Sequence, residues 1–356
     1  MSSDQPNRAI PAAEIESTFS RTTINLASSA LEAYIVDVSD EFFASAQNLL
    51  NPRPPISKPG TFVDTGAWYD GWETRRHNSE EYDYVIIRLG AREGYIHGIE
   101  IDTAFFNGNH APLVSVEGIR AFGKKGDQSV RDCAKKEVSD WAQWKILLAK
   151  TEVGPSTRHA WVVPENLRMD SWTHVRLRMY PDGGIARFRV YGVAKPSWQQ
   201  GSPGLHVELS AAQMGGLVVA CSDQHYSRAD NILLPGRGVD MGDGWETKRS
   251  REPNHTDWVV AKLAVPGHVH RVVVDTMHFR GNFPRAIRVE GKLVEHDNDD
   301  LATGWKLLVD DRKMKADEEA ECEIVQEAKG MQCSHVKLTI IPDGGVKRLR
   351  IFGTTE

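Results

Sequence analysis

Residues 173–192 read Thr-His-Val-Arg-Leu-Arg-Met-Tyr-Pro-Asp-Gly-Gly-Ile-Ala-Arg-Phe-Arg-Val-Tyr-Gly. Val175, Leu177 and Met179 alternate with His174, Arg176 and Arg178, the periodicity of a strand with one buried face. Pro181-Asp182-Gly183-Gly184 supplies turn chemistry, and Ile185 to Val190 continue extended, so the stretch reads as an antiparallel hairpin. A second hairpin, Ser334 to Gly353, carries the same turn at Pro342-Asp343-Gly344-Gly345.

Upstream of each hairpin the chain repeats itself in order and spacing. Asp70-Gly71-Trp72-Glu73-Thr74-Arg75-Arg76 is answered by Asp243-Gly244-Trp245-Glu246-Thr247-Lys248-Arg249. Asp102-Thr103-Ala104-Phe105-Phe106-Asn107-Gly108-Asn109 is answered by Asp275-Thr276-Met277-His278-Phe279-Arg280-Gly281-Asn282. The apolar runs between them are short and extended, as in Val85 to Leu89 and Val272 to Val274. An all-β fold follows: two tandem jelly-roll sandwiches related by internal duplication. The expected layout is a loosely held tail over 1–22, a first domain over 23–192, a Pro-, Gly- and Ser-containing linker over 193–205 and a second domain over 206–356. Helical spacing is confined to Val130–Trp144 and to the charged stretch Asp310–Gln326.

Composition narrows the function. A chain of 356 residues with 40% hydrophobic content has material for two packed cores. Its formal charge of -6 removes general attraction to phosphates, so neither nucleic acid nor an anionic membrane is expected as a partner. Cys133, Cys221, Cys322 and Cys333 form no CxxC pair, and Met1 to Asn25 lacks the apolar core of a secretory signal, which points to a reducing cytoplasmic setting and inert thiols. No apolar run reaches membrane-spanning length. No nucleotide-binding loop, HExxH or GxSxG motif is present, and His268-Val269-His270 lacks a third partner, so no cofactor and no metal are expected.

A duplication kept only for folding should match at apolar positions, yet the best matches here are polar. Arg75, Arg76 and Arg249 offer planar forks for a carboxylate, and Glu73 and Glu246 are acid or base candidates. Trp72 and Trp245 fit better as plugs that hold the loop. Asp102 and Asp275 end apolar strands at the loop-bearing rim, where a carboxylate is suited to acid–base work or to local loop closure. Thr103, Thr276, Asn109 and Asn282 add neutral hydrogen-bonding groups. Histidine differs between the copies: His278 faces Phe105, and His110 faces Phe283, with His278 beside Asp275 the preferred proton carrier. His97 and His270 match as well and read as surface residues.

DGWETRR, DTxxFxGN and PDGGxxRxRxxG, each present twice, resemble the allantoicase family from about Asn25 to Gly353. The resemblance implies hydrolysis of allantoate to ureidoglycolate and urea in purine breakdown, by paired jelly-roll domains assembled into a homo-oligomer. Under it, Arg75, Arg76 and Arg249 hold the substrate, Asn109 and Asn282 orient its ureido arms, and Glu73, Glu246, Asp102 or Asp275 act with His278. The alternative is a jelly-roll module that binds a ligand of carbohydrate type without reacting it.

Overall fold

The structure, a computed structural model, describes residues 7–121, 144–197, 206–294 and 300–355. The chain divides into two compact units, Met1–Lys195 and Pro196–Glu356. In the first unit one antiparallel sheet runs in the order Lys145–Glu152, Leu113–Ile119, His174–Tyr180, Asp83–Arg88, Tyr34–Val38. The other runs Arg8–Ile10, Arg158–Val162, Gly94–Asp102, Arg187–Ala194, Ile24–Asn25, with Ser171–Trp172 also on Gly94–Asp102. Val85, Ile87, Val116, Val175, Leu177 and Met179 from the first sheet and Ile99, Ile101, Phe188 and Val190 from the second are fully buried. Each such side chain contributes roughly 1.5–3 kcal/mol relative to an exposed one, so the alternation of Val175, Leu177 and Met179 does set the inward face.

The second unit has the same two layers with one difference. Asp257–Asp275 is a continuous strand that serves both: residues 257–262 pair with Leu217–Cys221 and Gln332–Ile341, and residues 268–275 pair with Arg348–Thr354. Its last four residues also pair with Glu319–Cys322. In the first unit the equivalent stretch breaks into Asp83–Arg88 and Gly94–Asp102.

Three expectations change. Asp310–Gln326 is not helical: Lys306–Lys313 and Glu319–Cys322 are strands, charged because residues at a sheet edge face water on one side. The stretch expected as a loose tail is packed from residue 8 on, because Arg8–Ile10 pairs with Arg158–Val162 while Ile15 and Phe19 are buried, Phe19 stacking on Tyr191. Val193 and Ala194, assigned to the linker, complete strand Arg187–Ala194. The other helical stretch, Val130–Trp144, lies outside the described residues apart from Trp144.

Candidate active site

The three repeated motifs meet at one phenylalanine in each unit. Trp72-Glu73 pairs with Gly184-Ile185, and Trp245-Glu246 with Gly345-Val346. Phe106, buried at the end of its loop, fills the space a methyl group at Gly71 or Gly184 would need: ideal Cβ positions fall 2.6 Å and 2.1 Å from its ring. Phe279 does the same for Gly244 and Gly345, at 2.8 Å and 2.0 Å. Nothing larger than glycine is admitted at these sites. The Thr74 N–H donates to the Gly183 carbonyl at 3.0 Å, and the Thr247 N–H to Gly344 at 3.1 Å. Trp72 and Trp245 are fully buried, their Nε1–H groups donating to the Asp40 and Asp223 carbonyls at 2.8 and 2.7 Å. Both tryptophans are structural, as their motif position suggests.

On this scaffold the first unit assembles a polar cluster. The Arg76 guanidinium donates to Glu73 Oε1 at 3.2 Å, to Asp182 Oδ1 at 3.2 Å and to the Asn109 carbonyl at 3.0 Å. Asn109 Nδ2 donates to the same Glu73 oxygen at 3.0 Å. The second Asp182 oxygen accepts the Asn78 N–H at 3.2 Å. Burial raises the pKa of Glu73 above its ordinary value, against the opposing pull of Asn109 and Arg76. Next along the chain, His110 forms a backbone bridge with Gly184, the residue that pairs with Glu73. Burial, then the neighbouring His159 and Arg76 charges, lower the pKa of His110. Asn109 Oδ1 and His110 Nδ1 are buried without partners among the described residues, an acceptor and a ring nitrogen with bonds still to make.

The second unit keeps the frame and changes the contents. Asn282 Nδ2 donates to Glu246 Oε1, as Asn109 does to Glu73. Asp343, the counterpart of Asp182, accepts the Ser250 N–H at 2.8 Å. Arg249 is exposed, with no hydrogen bond or ion pair among the described residues. Phe283 stands in the place of His110.

The remaining candidates lie elsewhere. Strands do end at Asp102 and Asp275, but each carboxylate closes its own loop, accepting from the Ala104 and Met277 N–H groups at 2.8 Å. Burial raises the pKa of Asp102. Asp275 is clamped by Arg237 through two bonds of 2.7 and 2.9 Å, in a cleft of about 300 Å³ lined also by Glu208, Glu319, Arg348 and Arg350. His278 takes a left-handed backbone (φ 70°), its N–H donates to Asp317 Oδ1 at 2.7 Å, and no hydrogen bond joins it to Asp275. The expected Asp275–His278 proton relay is therefore not assembled: Arg237 occupies the carboxylate, and the His278 imidazole makes no hydrogen bond to it, its Nε2 buried without a partner among the described residues. Thr103 and Thr276 are fully buried and their hydroxyls donate to backbone carbonyls of Gly154 and Lys315, both at 2.7 Å, so they hold loops rather than ligand. Arg75 lies at the surface over the Phe42 ring, 4.4 Å from its centroid. His268 bonds the Gly330 carbonyl and His270 the Thr354 hydroxyl, and no group of metal-ligating side chains occurs among the described residues. In the sequence Asp182 and Asp343 stand out only as turn residues. Their retention in both hairpins, where glycines alone would make the turn, was the available signal.

Fold and site together define a duplicated jelly-roll protein with an acid, an amide and a guanidinium gathered where three motifs interlock. A family model described as the allantoicase repeat matches residues 24–195 and 207–356. The chain belongs to the allantoicase family. It is 48% identical to the allantoicase of Neurospora crassa over 353 residues, covering 98% of this chain and 96% of that one. To the Saccharomyces cerevisiae allantoicase the identity is 49% over 334 residues, 93% of each chain. The crystal structure of allantoicase from Saccharomyces cerevisiae superposes with a TM-score of 0.83 at 45% identity, covering 98% of this chain and 99% of that one.

Proposed function

We propose that this protein is an allantoicase, hydrolysing allantoate to ureidoglycolate and urea in purine breakdown, and that the reaction runs at the first-unit cluster of Glu73, Arg76, Asn109 and His110. The observation that carries the placement is the opposed shift of two neighbouring groups. Glu73 is pushed toward its protonated form and His110 toward its neutral form, which suits one as acid and the other as base.

Allantoate bears a carboxylate and two ureido groups on one carbon. Arg76 spends three N–H bonds on the protein, both Nη2–H among them, and its charge and a remaining N–H are left to hold the carboxylate. The unpartnered Asn109 Oδ1 accepts a ureido N–H. Neutral His110 takes a proton from water as its oxygen bonds to the central carbon. Glu73 gives its proton to the leaving nitrogen as the carbon–nitrogen bond breaks, releasing urea, and the proton on His110 returns to Glu73 through solvent. Asp182 holds Arg76 in place and is a positioning residue.

The test is urea release from allantoate by the purified protein, with and without a chelator. Glu73→Gln and His110→Ala are each expected to lower kcat by about 10²–10⁴-fold. Full activity in both variants sinks the placement, and no urea from the wild type under any condition favours a binding module. A cytoplasmic homo-oligomer completes the proposal. No helix among the described residues is long and apolar enough to cross a membrane, and sedimentation as a single-chain species would count against assembly.

A further inference from the structure

Arg249 does nothing for the fold. It is exposed, and neither a hydrogen bond nor an ion pair holds it among the described residues. Its counterpart Arg76 is held by three bonds. A second copy kept only as a folding partner needs Trp245, Thr247, Phe279 and the glycines around that ring, all of which are buried or sterically required. It has no structural use for a guanidinium three positions beyond Glu246. The residues surviving beside Arg249 are those that bind: Asn282 still donates to Glu246, and Asp343 still orders the following backbone through the Ser250 N–H. Missing is an imidazole at the His110 position, taken by half-buried Phe283, whose ring cannot take a proton from water, while the unit's other imidazole, His278, stands at the Phe105 position with its backbone N–H held by Asp317.

We infer that the second unit carries a ligand site that binds without turnover, and that its ligand is a small carboxylate with a ureido or amide arm. Arg249 pairs with the carboxylate, its open fork free to form the bidentate bond. Glu246 and Asn282 meet the arm, offering an acceptor and an amide, and Phe283 covers the apolar side of the ligand carbon. The inference rests on the proposed placement of the reaction in the first unit, because retention of binding groups without the His110 imidazole has meaning only beside a copy that has it.

The probe is N-carbamoylglycine, which has one carboxylate and one ureido group but no second ureido to release. Isothermal titration of the full-length protein is expected to show two equivalents bound per chain. Arg249→Ala is expected to bind one, with circular dichroism unchanged because the side chain is exposed and makes no hydrogen bond or ion pair among the described residues, and His110→Ala is expected to bind two while losing turnover of allantoate. One equivalent in the wild type, or two in Arg249→Ala, overturns the inference. Turnover that survives His110→Ala but is lost when Glu246→Gln is added puts chemistry in the second unit and overturns it as well. Turnover surviving in a His110→Ala/Glu73→Gln/Glu246→Gln variant instead overturns the assignment of the reaction, and the stoichiometry then judges the second site alone.

Discussion

At the scale of single residues, Glu73 ties activity and stability to the same proton. Its folded pKa lies above the ordinary 4.5, so the native state holds the proton more tightly than the unfolded chain does. The stability it contributes is complete below that ordinary value and is lost as pH rises through the folded one. Glu73→Gln removes the loss, and thermal melts across pH should show the variant gaining on the wild type toward neutral pH and matching it near pH 4. Turnover follows the same groups: the alkaline limb of kcat/KM reports Glu73 and is absent from the Gln variant, while the acid limb reports His110, below the usual 6.5. Individual roles were the least legible part of the sequence. Asp275 stands at a strand end, as its apolar run implies, yet Arg237 reaches it from a loop that no periodicity describes. His110 and Glu73 become neighbours only because Gly184 lies between their backbones.

At the scale of elements, buried arginines fasten the last strand of each unit to the loop that opens its repeated motif. Arg187, fully buried, donates to the Asp70 carboxylate at 2.6 Å and to the Asp70 carbonyl at 3.0 Å. Arg348 reaches the Asp243 carbonyl at 2.6 Å and the Gly236 carbonyl at 3.0 Å. Asp70→Ala leaves the buried Arg187 charge with backbone carbonyls but no carboxylate, and denaturant titration should register a loss of about 3–5 kcal/mol. Strands with alternating apolar residues were readable in advance, as at Val175, Leu177 and Met179, because burial of one face imposes that alternation. Edge strands were not. Lys306–Lys313 is charged along most of its length, and only Leu308 and Val309 are turned into the core. The N-terminal segment was missed for the opposite reason: Ile15 and Phe19, four apart on one short helix, and Ile10 on a short strand are too few apolar positions to declare an element, and they gain a common cluster only against Ala160 and Val162 of the sheet.

At the scale of the whole molecule, each unit has its own core and its own copy of the interlocked motifs. A lesion confined to one core, such as Leu338→Ala at a fully buried position of the second unit, should cost about 2–5 kcal/mol there. Scanning calorimetry should show one thermal transition moved and another left in place; a single transition shifting as a whole would mean that the units melt together. The duplication and the sandwich class were fully visible in the sequence, because glycine, tryptophan and Pro-Asp-Gly-Gly positions repeat wherever backbone geometry demands them. The phenylalanine that each unit clamps between two glycines has a consequence for how such a protein changes over generations. Replacing either glycine collides with the ring, and shrinking the ring opens a hole under both motifs, so drift along this frame is blocked one substitution at a time. Variation is channelled to neighbouring positions outside this glycine–ring–glycine clamp. Those are the places, 105 against 278 and 110 against 283, where the two copies have exchanged phenylalanine and histidine and so have been free to part in chemistry while remaining alike in shape.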